Sequence, residues 1–202
     1  MSDERQEGLY GFIEGLVKTG RGVALRPHSF FKDMPVTGGY VQPLLFSLAI
    51  FFIVLSYNLV LVASGLPYPT GQESEGESIT DALKKAPVLG ALWVFGLLIG
   101  SLILHGSFKL LKGAGGYEAT FRIFAYSSIA NLLTIIPSVG QYVSTIYTLV
   151  LIMLGGKLVH SLSSTRAIAA PILPAFIIWG ILMAMVLAGV VPIEELTSGL
   201  KQ

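Results

Sequence analysis

Three histidines, His28, His105 and His160, are the side chains of this 202-residue sequence best suited to proton or metal chemistry, and His105 with Ser107 or His160 with Ser161 could be imagined as a serine dyad. A histidine and a serine held face to face make a hydrolytic nucleophile. Residues one or two apart on a helix point in different directions, so no hydrolase is expected. With Glu118 the three histidines could offer ligands to a metal at one end of the molecule. Their spacing matches no ligand pattern, and hydrogen-bonded helix-end histidines are the preferred reading. The sequence has no cysteine, which removes disulfides, thiolate nucleophiles and zinc-thiolate sites. HExxH, Walker A, dinucleotide-binding and GxSxG patterns are absent, so the chain is expected not to be an enzyme and to need no cofactor.

Gly113-Ala114-Gly115-Gly116, after Lys109 and Lys112, has the glycine content of a phosphate cradle but neither the GK[ST] context nor a preceding strand. One reading is a lipid phosphate held by Lys112, Arg122 and the free amides that open the next helix. The other is a glycine turn flanked by basic residues of the cytoplasmic face. A further set of polar residues recurs at helical spacing: Ser127, Asn131 and Thr134, then Gln141, Ser144 and Thr148. Folding the chain at 137/138 brings Thr134 level with Gln141, Asn131 with Ser144 and Ser127 with Thr148. Interhelical hydrogen bonding, worth ~0.6 to ~2 kcal/mol per contact, is the plain reading. A polar groove for a lipid headgroup or small solute is the sharper one.

The elements that position these residues are set by a membrane solvent. The composition is 53% hydrophobic and 12% charged, with a mean hydropathy of +0.73, which excludes a soluble domain. Residues 41–64, 88–111, 139–160 and 169–191 hold no Asp or Glu, and 118–136 is nearly as apolar. Each is about the ~20 residues that a crossing helix needs. The expected fold is all-α, an integral bundle of five transmembrane helices. The third span is the weak one, because its uncharged run from Ile123 to Pro137 reaches only ~22 Å at ~1.5 Å per residue. It needs Glu118 and Arg122 at the interface, and a re-entrant hairpin with the fourth span is the alternative. No carboxylate lies deep within a span, which argues against ion-coupled transport.

With five spans, ten of the thirteen basic residues fall on the side of the N-terminus and three on the other. The positive-inside rule then predicts N-terminus in and C-terminus out, with 192–202 an extracytoplasmic tail. Residues 1–40 form a cytoplasmic segment in which Leu9, Phe12, Ile13, Leu16 and Val17 make one apolar stripe, predicting an interfacial amphipathic helix. Phe30, Phe31 and Tyr40 are expected at headgroup depth. Gly96 and Gly100 form a GxxxG in span two, for packing within the chain or between two copies. Pro171 and Pro174 are expected in the first turns of span five.

Several residues carry a family resemblance. Arg26-Pro27 with Phe30-Phe31, Pro43, Leu110-Leu111-Lys112-Gly113, Gly116 to Arg122, Ala125-Tyr126-Ser127, Ile136-Pro137 and Arg166-Ala167 resemble the YIP domain, the Ypt/Rab-interacting protein family of five-span membrane proteins. In eukaryotic members the resemblance implies a cytoplasmic N-terminus, Rab-type GTPase partners and roles in vesicle traffic and membrane shaping. The Asp-Leu-Tyr-Gly-Pro stretch of those members is replaced by Gly38-Gly39-Tyr40-Val41-Gln42-Pro43, so the chain is more similar to the prokaryotic branch. That resemblance implies a fold and no reaction.

The expectation is a non-enzymatic protein of a bacterial cytoplasmic (inner) membrane that organises lipids or partner proteins at the cytoplasmic face. Phe30, Phe31, Lys112, Gly116, Tyr117 and Arg122 are its expected contacts with anionic lipid, a protein partner or a second copy. No nucleic acid is expected. The alternative is a permeation or lipid-translocation path along the polar hairpin.

Overall fold

The computed structural model describes residues 2–70 and 78–187, and every regular element within them is helical. In order these are α1 (Ser2–Leu25), α2 (Pro27–Asp33), α3 (Val41–Ala63), α4 (Ile79–Leu110) and α5 (Tyr117–Ser127), then a 3-10 helix (Ser128–Ile135), α6 (Gly140–Val159) and α7 (Ser164–Leu187). The tail 192–202 and the acidic loop residues Glu73, Glu75 and Glu77 lie outside the described residues.

Three helices, α3, α4 and α6, are long and apolar enough to cross a membrane. Helix α4 begins nine residues before the expected start of span two. Ser78 caps it, its Oγ accepting from the Asp81 amide at 3.1 Å, and Pro87 is carried inside the helix. At 32 residues it is ~48 Å long, so its ends extend past a ~30 Å hydrocarbon layer.

The third apolar stretch is not one α-helix. Eleven α-helical residues are followed by eight in 3-10 winding. Because a 3-10 helix rises ~2.0 Å per residue instead of ~1.5 Å, the joined path is ~32 Å long. The winding thus lengthens the stretch that looked too short. The reversal after it is tight: the Gly140 amide donates to the Ile136 carbonyl at 2.9 Å, and a side chain at Gly140 would run into the Leu133 carbonyl.

One apolar core runs through the N-terminal segment and the bundle together, joining Val23, Phe31 and Met34 to Phe46, Ile50, Phe108, Ile123 and Leu151. Tyr126 lies edge-on to both Phe30 and Phe46, with centroids 5.2 and 5.3 Å away. Such pairs add ~0.5–1.5 kcal/mol each beyond the area they bury. Arg26 interrupts the helix with φ −139°, and Pro27 restarts it at the first position of α2, where no amide is needed. The Tyr147 hydroxyl of α6 donates to the carbonyl of Ala24 at 2.7 Å, fastening the end of α1 to the bundle.

Two packing expectations change. Helix α7 starts at Ser164, so Pro171 and Pro174 are inside it and not in its first turns. The GxxxG is not used as a unit. An added Cβ at Gly100 would meet the Phe124 ring at 2.6 Å, whereas Gly96 has nothing within 4 Å. Close approaches are also made by the neighbouring glycines of α6: Gly155 lies against Ile123 and Gly156 against Phe108.

Candidate functional site

The polar chemistry of the bundle gathers around α5. Thr120 is fully buried, and its Oγ1 lies 2.9 Å from His105 Nδ1 on α4 and 2.9 Å from His160 Nε2 just past α6. A hydroxyl has one proton, so at least one of the two rings must donate to it, and the tautomers of the pair are linked. One turn away, Tyr117 Oη is 3.0 Å from Ser101 Oγ. His160 is fully buried, its ring lies 4.4 Å from that of Phe108, and its Nδ1 has no partner. Burial first, then His105 and Lys109, lowers His160 to about 4, so it is neutral near pH 7. Over this ring sits the glycine turn. A Cβ at Gly115 would come within 2.8 Å of the imidazole, and the Ala114 amide donates to the His160 carbonyl at 3.0 Å. The turn therefore covers a histidine, which accounts for Gly113 and Gly115 but not for Gly116, where an added Cβ would meet nothing within 4 Å.

A second cluster ties the approach of α3 to α5. Gly38 and Gly39 take φ +124° and +88°, left-handed values that a side chain resists. Bent this way, Gly39 donates its amide to Glu118 Oε1 at 2.6 Å and accepts from Arg122 at 2.9 Å through its carbonyl. Arg122 also pairs with Glu118 at 3.4 Å, although its Nε has no hydrogen-bond partner.

A third feature is a lateral groove of about 930 Å³ between α1 and a wall made by α3, the 3-10 helix and α6. The stripe residues Ile13, Leu16 and Val17 face it, opposite Ile50, Leu132 and Ile146. The Leu9 side chain lies outside those described.

These positions correct part of the expected contact set. Phe31 is 1% exposed and Arg122 2% exposed, so neither is a surface contact with lipid or partner. Phe31 is drawn into the core by its neighbours, and Arg122 by Glu118 and the Gly39 carbonyl. Phe30 and Tyr117 are half-buried, while Lys112 and Gly116 remain exposed. The three histidines do not converge: His28 is exposed on α2, and among the described residues no group of three His, Cys, Asp or Glu could hold a metal.

The polar hairpin also differs from the expected cross-pairing. Ser127 donates to the Ile123 carbonyl at 2.7 Å, Asn131 to Ser128 at 3.0 Å and Thr134 to Asn131 at 2.6 Å. These partners lie in the same segment, three or four residues back. Ser144 is buried, Thr148 half-buried and Gln141 exposed. Among the described residues no hydrogen bond joins the two rows.

Sequence reasoning did not single out Tyr147 or the Gly155-Gly156 pair, and it met Thr120 only within the Gly116-to-Arg122 stretch. The glycine pair was a readable signal, being two adjacent small residues near a helix end. Thr120 was not, since only the fold brings His105 and His160 to it.

Long apolar helices around a helical core with buried polar links define an integral, all-helical membrane protein. A family model, the Yip1 domain, matches residues 21–187, from the second half of α1 to the end of α7. The chain belongs to the Yip1-domain family. No curated protein and no solved structure matches it.

Proposed function

We propose that this Yip1-domain protein is a non-enzymatic organiser of anionic lipid at the cytoplasmic face of a bacterial inner membrane. Its five crossings would be α3, α4, α5 with its 3-10 extension, α6 and α7, with the N-terminus inside. The excess of Lys and Arg on the N-terminal side supports that orientation. The length of the α5 path and the burial of its one ion pair support the third crossing.

The observation that carries the reading is the docked N-terminal unit. Helix α1 turns its apolar stripe toward the bundle, while Lys18, Arg21, Arg26 and Lys32 stay exposed along α1 and α2. Basic residues beside a membrane attract anionic headgroups by ~1 kcal/mol each, within a Debye length of the surface. Lys112, exposed on the α4–α5 turn, adds to the same face.

The test is lipid selectivity in nanodiscs of mixed phosphatidylcholine and phosphatidylglycerol. Replacing Lys18, Arg26, Lys32 and Lys112 by Gln should remove the enrichment of phosphatidylglycerol around the protein, and added salt should weaken it in the wild type. Equal enrichment in both proteins would end the proposal.

A further inference from the structure

We infer that the groove beneath α1 is a binding site for one anionic phospholipid, its acyl chains along the apolar wall and its phosphate at Arg21. The inference rests on the reading of α1 as a lipid-organising element and names the place and the ligand.

The groove is chemically one-sided. Among the described residues lining it, Arg21 carries the only charged side chain and there is no carboxylate. Tyr147 brings the only side-chain hydroxyl, which is occupied by the carbonyls of Val23 and Ala24 at 3.3 and 2.7 Å. Water inside would find almost no partners, whereas hydrocarbon would lose nothing. A volume of about 930 Å³ is near the top of the ~300–1,000 Å³ range of sites that enclose a small ligand.

Its geometry is that of a roofed slot and not of an ordinary lipid-facing surface. At Gly20 the helix meets the wall, since an added Cβ would lie 3.5 Å from Ile129 and 3.9 Å from Phe46. Toward its N-terminus α1 stands clear of the wall, since Ile13 and Val17, on the same face as Gly20, are each 47% exposed. Tyr147 holds the closed end. A chain entering from the open end would lie between Ile13 and Val17 on one side and Ile53 and Ile146 on the other, all of them at least 47% exposed as the protein stands.

Charge selects the occupant. A second copy docking through the same face would bring its own Arg21 toward this one with no lining carboxylate to offset either charge, and like charges disfavour that contact. A phosphate ester satisfies the arginine through paired N–H donors. The lone cation at a hydrocarbon slot fits an amphiphile with one anionic head.

The experiment measures phospholipid retained by the full-length protein after purification in mild detergent, by native mass spectrometry and phosphorus assay. The wild type should keep one phospholipid, enriched in phosphatidylglycerol over phosphatidylethanolamine. Ala49→Trp, which fills the groove from α3, should lower retention about tenfold, and Val143→Trp on the α6 wall should do the same if the first variant does not fold. Arg21→Glu should keep lipid but lose the preference for anionic species. Leu92→Trp, on an exposed part of α4 away from the groove, should match the wild type. Retention by Ala49→Trp and Val143→Trp equal to the wild type would overturn the inference, as would a wild type that carries no lipid. Cysteine cross-linking of two copies through position 146 in place of lipid retention would also overturn it.

The two proposals can fail separately. Loss of retention with intact nanodisc selectivity removes the groove and leaves the basic face. Retention without selectivity does the reverse.

Discussion

The two halves of the third helical path treat polar side chains in opposite ways. Along the first part of α5, from Tyr117 to Arg122, every polar side chain reaches another element: Tyr117 to Ser101, Thr120 to His105 and His160, and Glu118 and Arg122 to Gly39. In the 3-10 half, Asn131 and Thr134 bond only within the segment, and Ser128 Oγ is buried without a partner. Bonds between elements specify register, because sliding either helix breaks them. Bonds within a segment hold no neighbour, so that half depends on apolar packing and on one bond from outside, the Tyr57 hydroxyl of α3 donating to the Ile135 carbonyl at 3.3 Å. The lipid groove abuts this second half through Ile129, Leu132 and Leu133. The fold thus sets a chemically locked half beside one held by contacts that tolerate adjustment.

Removing a lock should therefore cost more than removing a self-satisfied group. The largest effect is expected from Arg122→Met. It leaves Glu118 beside a glycine turn with no cation, and breaking a buried pair costs ~3–5 kcal/mol. Glu118 keeps some access to water, so the low end, about 3 kcal/mol, is expected in denaturant unfolding from mixed micelles. A second change, Glu118→Gln, should recover part of that loss, and a double-mutant cycle without coupling would break the comparison at its strongest point.

Thr120→Val should come next. The shape is kept, but His160 Nε2 is left buried without a partner, a cost of about 2 kcal/mol. The same network predicts an acid response. The folded His160 sits at about 4, below the ordinary 6.5, so the unfolded chain binds the proton more readily. Stability should be full above pH ~6.5 and fall as the pH drops from there toward about 4. His160→Gln should unfold more easily at neutral pH but lose this slope. A thermal midpoint of the wild type that stays flat between pH 7 and 5 would remove His160 from the account.

Much of this fold was legible and some was not, for identifiable reasons. Helices α3 and α6 begin and end within a residue of the apolar runs 41–64 and 139–160, because lipid-facing stretches contrast sharply with their polar ends. A short helix after Ser78 was readable, but its unbroken run into span two was hidden by Pro87, which reads as a breaker. The 3-10 winding sets Ser128, Asn131 and Thr134 in line, one every third position. Read at 3.6 residues per turn, the sequence instead groups Ser127 with Asn131 and Thr134 as a face offered to the next helix. Burial of Phe31 and Arg122 was beyond any pattern in the N-terminal segment, since it depends on Tyr126, Glu118 and Gly39 meeting across the fold. The excess of Lys and Arg on the N-terminal side needed no such meeting, and it was visible.

The smallest effect sharpens the comparison most. If the 3-10 half is self-satisfied, Thr134→Val removes a hydroxyl that bonds only to the Asn131 carbonyl, and that carbonyl keeps its place in the segment. Interhelical polar contacts in membranes average ~0.6 kcal/mol, and a contact that joins nothing should fall below that. Asn131→Leu likewise gives up one bond to Ser128 and gains apolar area beside Leu132. Both should unfold within about 0.5 kcal/mol of the wild type, well short of Thr120→Val. A Thr134→Val penalty as large as that of Thr120→Val would mean that the hydroxyl engages α6 in the membrane. The polar hairpin would then be a real seam between helices, and the reading of this half as the adaptable wall of a lipid site would have to give way.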